Sequence, residues 1–224
     1  MKFSIVIAAY GQQDTLPDAI ESALNQTAQA EVIVVVDGSP DHSLEIAKSY
    51  PVKIINQINK GLASARNTGI MNMTGDVFLA LDSDDMLYDN CVEKMIRTFE
   101  ETGADVVAPS MKCFGEANDT ILIMKEPTID DFRTANRIPY ASAVKKECLL
   151  ECGGYQPKMD TLGGWEDYSL WFDLLTRGKK IVGIQEPLLL YRTKQKSMWR
   201  ESVKNSKNLH AQLEKDFPTV WPKK

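Results

Sequence analysis

Hydrophobic and polar positions alternate in blocks through the first hundred residues. Residues 5–9 form an unbroken apolar run, which predicts a strand covered on both faces. Leu16, Ile20, Ala23, Leu24 and Thr27 then recur at helical spacing, with Pro17 near the helix start, where its missing N–H costs little. Residues 32–36 predict a second buried strand, ended by the turn-rich Asp37-Gly38-Ser39-Pro40-Asp41. Leu44, Ala47 and Tyr50 predict a short helix, residues 52–55 a third strand, and Leu62, Ala65 and Gly69 a helix opening at Gly61. Residues 77–81 predict a fourth strand, and Val92, Met95, Ile96 and Phe99 give the next helix one apolar stripe. This order predicts an α/β fold: a doubly wound, mainly parallel sheet with helices on both faces. Ligands are then expected beyond the carboxyl ends of the strands.

Beyond about residue 105 the pattern loosens. Residues 106–108 and 121–124 predict strands, as do 180–184 and 188–191. Residues 166–177 are the clearest late helix, with Tyr168, Trp171, Phe172 and Leu175 on one face. In the tail, Trp199, Val203, His210, Leu213 and Phe217 fall at approximately helical spacing. No repeat, low-complexity stretch or linker divides the chain. Its 224 residues, 43% hydrophobic and 25% charged, can fill one generous core, with halves at 1–110 and 111–191 and a tail at 192–224.

No apolar run reaches the roughly 18 residues of a membrane span. The segment 3–9 is too short for a signal peptide, and Tyr10-Gly11-Gln12-Gln13-Asp14 does not resemble a cleavage site. Cys91, Cys113, Cys148 and Cys152 lack CxxC spacing, and with His42 and His210 they are too few for a zinc site. They read as reduced thiols, which predicts a cytoplasmic protein. Sequons at Asn25, Asn72 and Asn118 carry no weight without a secretion signal.

Charge sharpens the picture. The net charge of −5 argues against a nucleic-acid binder, which needs an excess of phosphate-neutralising cations. From Arg192 onward nine Lys/Arg face three Asp/Glu, so a +6 tail follows a −11 body. Two acidic clusters fall at predicted strand ends: Asp37, and Asp82-Ser83-Asp84-Asp85. In a parallel sheet those ends share one edge, and crowded carboxylates repel unless a cation joins them. Hard oxygen ligands in small number suit Mg²⁺ or Mn²⁺. Helix capping is the alternative for a single Asp; three acids in four residues favour a metal.

GxxxxGK[ST] is absent, and a single Gly11 rather than GxGxxG follows the first strand, against a P-loop ATPase or a dinucleotide dehydrogenase. Residues 79–84 do mimic the DxDx[TV] of haloacid-dehalogenase-type phosphohydrolases, with Asp82 as nucleophile. That motif normally ends the opening strand, and here Met86 replaces its Thr or Val. It is the alternative reading.

An ordered set of motifs is more specific. Ser4-Ile5-Val6-Ile7, Asn25-Gln26-Thr27 and Val36-Asp37-Gly38-Ser39 are followed by residues 59–69, which fit NxGxxxARNxG. Then come Leu81-Asp82-Ser83-Asp84-Asp85, Trp165-Glu166-Asp167, and Tyr191-Arg192 with Ser197 five residues on. In this order the chain resembles glycosyltransferase family 2, with the GT-A fold. The resemblance implies an inverting transferase that moves a sugar from a nucleotide-diphospho-sugar, UDP assumed, to an acceptor hydroxyl with Mn²⁺ or Mg²⁺. A non-catalytic nucleotide-sugar-binding relative is a further alternative.

Carried over position by position, Asp37 matches the acid at the nucleotide base. Asp82-Ser83-Asp84 matches the DxD motif, with Asp84 and Asp82 toward metal. Ala8, Tyr10, Asn59, Gly61 and Arg66 fall in segments lining the nucleotide pocket. Asp167 matches the general base, Trp165 and Glu166 lie toward the acceptor, and 191–197 matches a loop that closes on the diphosphate. Residues 1–110 then bind the donor and 111–191 the acceptor, which could be a glycan, a lipid-linked sugar or a small molecule. On a helical wheel Asp167 lies beside the apolar face, and Glu166 lies opposite it, toward solvent or acceptor. Two positions depart from the family. Val36 replaces an acid, and Lys194 stands where His is common; an ammonium cannot ligate a metal but can pair with diphosphate. Lys196 and Arg200 can add to that charge. The amphipathic tail is expected to pack on the body or pair two subunits, with at most peripheral membrane contact.

Overall fold

The computed structural model describes residues 1–161, 164–194 and 206–220. Lys196, Ser197, Trp199, Arg200 and Val203, singled out above, lie outside them. Among the described residues, nine strands form one sheet. They are β1 (Phe3–Ala9), β2 (Ala30–Asp37), β3 (Lys53–Gln57), β4 (Val77–Asp82), β5 (Met86–Leu87), β6 (Val106–Gly115), β7 (Thr120–Ile121), β8 (Ala143–Lys145) and β9 (Ile181–Thr193). Their order is β3-β2-β1-β4-β8-β6-β9-β5, with β7 paired to β6.

The first four strands are parallel, as their unbroken apolar runs predict. Ile5, Val6 and Ile7 of the central β1 are fully buried. Ala8 pairs with Asp82 and Ala9 with Val36, so the carboxyl ends of β1, β2 and β4 reach one edge together. Connecting helices follow the predicted stripes: α1 (Leu16–Leu24), α2 (Ser43–Lys48), α3 (Leu62–Asn72) and α4 (Cys91–Thr102). α4 buries Cys91, Val92, Met95 and Phe99 and ends at Gly103 in a left-handed C-cap.

The second half departs from the pattern in instructive places. β8 runs antiparallel to both β4 and β6, and β9 runs parallel to β6. Two predicted strands prove to be the single β9: Ile184 pairs with Pro109 and Pro187 with Ser110, so exposed Gln185 and Glu186 bulge out of register. Residues 121–124 are strand only at Thr120–Ile121; beyond it, the Gly183 N–H donates to the Lys125 carbonyl at 2.7 Å in an irregular segment. β5, β8, α5 (Ile129–Phe132) and α7 (Lys158–Thr161) have four residues or fewer and show no readable period. α6 (Lys146–Cys152) and α8 (Glu166–Thr176) complete this half.

The tail forms α9 (Ser206–Asp216), which packs on the body through fully buried Leu209 and Leu213. Phe217 stacks on Phe172 at 5.8 Å, and Lys158 pairs with Asp216 at 2.7 Å. No helix among the described residues is long and apolar enough to cross a membrane.

α3 sits unusually close to β1. A Cβ at Gly69 would lie 2.3 Å from Val6 Cγ1, so glycine is what admits the helix to the sheet. Gly69→Ala is therefore expected to destabilise by about 1–3 kcal/mol through overpacking. Urea unfolding checks this, and Val6→Ala in the same chain should recover part of the loss.

Candidate active site

A cleft of about 500 Å³ opens at the carboxyl edge of β1, β2 and β4. Its walls include Ala8, Tyr10, Asp37, Asn59, Gly61, Asp82, Ser83, Asp84, Asp85, Tyr191, Arg192 and Lys194, all in motifs or segments named from sequence, with Gln12 added. Arg66, Trp165, Glu166 and Asp167 are not among them.

Asp37 builds the wall that it occupies. It is buried, and it accepts hydrogen bonds from the Lys60 and Gly61 N–H groups, both at 2.9 Å, and from the Gln57 amide at 2.7 Å. Gly38 lets the loop approach: at its φ of +63° a Cβ would stand 2.5 Å from the Asn59 nitrogen. Gly61 then caps α3 at φ +88°. Asp160 of α7 accepts from the Ala63 N–H at 2.9 Å, completing that helix start, and burial pushes its carboxyl up to about 6.

Oxygens of Asp82, Asp84 and Asp85 lie within 4.8 Å of one another. Asp85 is buried and accepts from the Tyr140 hydroxyl and the Arg192 N–H, both at 2.6 Å; burial and its acidic neighbours hold it well above the usual range. The same Tyr140 oxygen accepts from the Asp82 N–H at 3.2 Å. Burial also raises Asp82, to about 6, with Arg66 opposing and Asp84 adding to the shift. Asp84 pairs with Lys194 at 2.7 Å. Arg192 donates to the Asp84 carbonyl at 2.7 Å and to Asp18 at 3.1 Å, and its guanidinium lies 4.5 Å from the Phe114 ring centre. The end of β9 is thus strapped to the acidic turn. Three clustered carboxylates, hard oxygen donors that repel one another, fit a divalent cation of the Mg²⁺ or Mn²⁺ kind.

Arg66 lies beneath the cleft, 1% exposed, and bonds Asp82 at 2.7 Å on one side and Glu166 at 2.5 Å on the other. The Tyr140 and Tyr155 rings flank it, each centre 5.2 Å away. Its place is therefore a support for the pocket, not a wall. Glu166, expected to face solvent or acceptor, is instead 5% exposed. The wheel argument fails because α8 has almost no polar face: Tyr168, Ser169, Leu170, Trp171, Phe172 and Leu174 are all buried, and Arg66 supplies the counter-charge.

Asp167 stands next in the chain, half-buried. Its oxygens accept from the Tyr168 N–H at 2.7 Å and the Asn136 amide at 2.9 Å. Burial, reinforced by the Glu166 charge, pushes it up to about 7. Trp165 precedes the pair with a left-handed φ of 69°, rare for a bulky side chain, and its ring meets His210 of α9 at 4.8 Å and Tyr168 at 5.2 Å. Tyr140, Asn136 and Asp160 were not foreseen. They come from short or irregular segments in which no periodicity marks a buried polar residue.

Residues 4–150 match the family described as glycosyl transferase family 2. An uncharacterised glycosyltransferase of Haemophilus influenzae is 29% identical over 210 residues, covering 86% of this chain and 76% of that protein. Glycosyltransferase GlyA of Streptococcus pneumoniae is 34% identical over 122 residues, 52% of this chain but only 18% of GlyA. Among solved structures, S. aureus TarS in complex with UDP-GlcNAc aligns with a TM-score of 0.77 at 19% identity, covering 89% of this chain and 61% of that one. The mannosyltransferase PcManGT from Pyrobaculum calidifontis, in complex with GDP-Man and Mn²⁺, gives 0.70 at 14% identity, covering 93% and 61%. The fold is the GT-A arrangement.

Arg66 generates a test of the site's electrostatics. Arg66→Met leaves two acids without their shared cation and is expected to cost roughly 3–5 kcal/mol near neutrality. Asp82, which Arg66 holds down at about 6, then takes a proton more readily, so the variant's deficit should be largest near about pH 8 and shrink toward about pH 5. Urea unfolding at the two pH values separates this from a packing loss, which would stay constant.

Proposed function

The chain belongs to glycosyl transferase family 2, and from that premise we propose that it transfers a sugar from a UDP-sugar to an acceptor hydroxyl, inverting the anomeric carbon. The observation that carries this reading is the Asp82–Arg66–Glu166 chain, which links the acidic cleft to the residue that precedes Asp167 at the start of α8. TarS structures with UDP and with UDP-GlcNAc support the donor class, and PcManGT with Mn²⁺ supports the cation.

In this reading residues 1–110 hold the donor, with Asp37, Asn59 and Tyr10 around the base and ribose. Asp82 and Asp84 hold Mn²⁺ or Mg²⁺, which when bound neutralises the leaving diphosphate without proton transfer. Lys194 adds an ammonium for the diphosphate oxygens. Asp167 takes the proton of the acceptor hydroxyl as it attacks opposite the leaving group, and that geometry inverts the stereochemistry. A carboxyl poised at about 7 suits this task at neutral pH. Residues 111–191 receive the acceptor, with the Trp165 ring beside the base. Glu166 acts as Arg66's partner, which fixes the start of α8. Hydrolysis through Asp82 is the weaker reading, because one Asp82 oxygen is bonded to Arg66 and the residue closes the fourth strand. Binding without catalysis leaves the raised Asp167 without a use.

Three outcomes follow for the donor side and the base. Asp84→Asn should abolish the thermal stabilisation that UDP plus Mn²⁺ confers, with the fold intact by circular dichroism. Asp167→Asn should keep that stabilisation while turnover drops roughly 10²–10⁴-fold. In the wild type, the base must be deprotonated to act. The kcat/KM for transfer should therefore rise with pH through about 7, and the Asn variant should lose that limb. Transfer by Asp167→Asn near the native rate would remove the base assignment.

A further inference from the structure

We propose that Lys194 is a built-in counter-ion for Asp84 that competes with the divalent cation and is drawn away by the nucleotide diphosphate. This rests on the reading above that Asp84 holds the cation. The Lys194 ammonium sits 2.7 Å from one Asp84 oxygen and 3.2 Å from the Gln12 side-chain oxygen, so it is held from two sides. An ammonium has donors only and cannot share in ligating a metal. Two cations at one carboxylate repel, so occupancy by Lys194 weakens the hold of Asp84 on a dication, and the dication disfavours the pair.

The local anatomy allows the exchange. Arg192, two residues earlier, is fixed by its N–H to Asp85, by its guanidinium to the Asp84 carbonyl and Asp18, and by the Phe114 ring. The backbone is therefore anchored. The Lys194 side chain is 33% exposed, and its flexible four-carbon stem can redirect the head without opening the core. A diphosphate entering the same cleft offers it oxyanions in place of Asp84. The device makes cation and nucleotide bind as a coupled pair. Each strengthens the other by the same factor, because nucleotide removes the cation's competitor.

Electron paramagnetic resonance of free Mn²⁺, titrated with the full chain, tests this without any turnover. Without nucleotide, Lys194→Met should bind Mn²⁺ about tenfold more tightly than the wild type, the scale expected for losing a partly exposed competing charge. Lys194→Arg, which keeps the charge, should stay near the wild type. With saturating UDP the advantage of Lys194→Met should disappear, so that UDP tightens Mn²⁺ about tenfold less in this variant than in the wild type. If wild-type Mn²⁺ binding is lost in Asp84→Asn but unchanged in Lys194→Met without UDP, the competition is overturned while the metal assignment stands. Mn²⁺ binding that survives Asp84→Asn, or is absent from both the wild type and Lys194→Met, overturns both.

Discussion

One buried guanidinium holds the site together. Arg66 reaches Asp82 at the end of β4 and Glu166 at the start of α8, residues a hundred positions apart in the case of Glu166. Two acids without it would each face the cost of burial alone, and with it they share one cation of fixed, forked geometry. The flanking Tyr140 and Tyr155 rings cover the guanidinium, and Tyr140 also reaches Asp82 and Asp85. Any displacement of α8 is therefore felt at the acidic turn. The acidic cleft and the start of α8 are parts of one electrostatic unit.

The parallel half of the fold was readable because β1, β2 and β4 are buried on both faces and helices such as α1 and α4 on one. Such elements carry their period in composition, and their ends place Asp37 and Asp82 at one edge by topology alone. The ordered motifs did the rest for the cleft walls. The second half resisted for physical reasons. β9 hides as two strands because Gln185, Glu186 and Pro187 interrupt it at a bulge, and β8 is three residues long. Glu166 was misplaced because a wheel assumes that a charged residue seeks water. Here the helix is surrounded, and the charge is answered by a residue a hundred positions earlier, a pairing no local pattern encodes.

The basic tail divides in two. Its first residues, Arg192 and Lys194, fold back onto the acidic turn, while α9 lies against α8 and brings His210 to the ring of Trp165. Among the described residues, Arg192 and Lys194 thus answer acids of the body locally. The indole of Trp165 is held in a left-handed backbone that glycine would adopt freely, so it is the ring's surface that this position supplies.

The hydrogen bonds of Asp37 bear on how this cleft can evolve. Its carboxylate is the hub on which the loop before α3 is wound, through two backbone N–H groups and the Gln57 amide. Replacing it would unwind the opening of a helix that fits β1 only by way of Gly69. Exposed Tyr10 and Asn59 share the same wall and carry no comparable framework burden. Change in the shape of that wall is therefore channelled to those two positions, leaving the acid as a fixed point around which the cleft must be rebuilt.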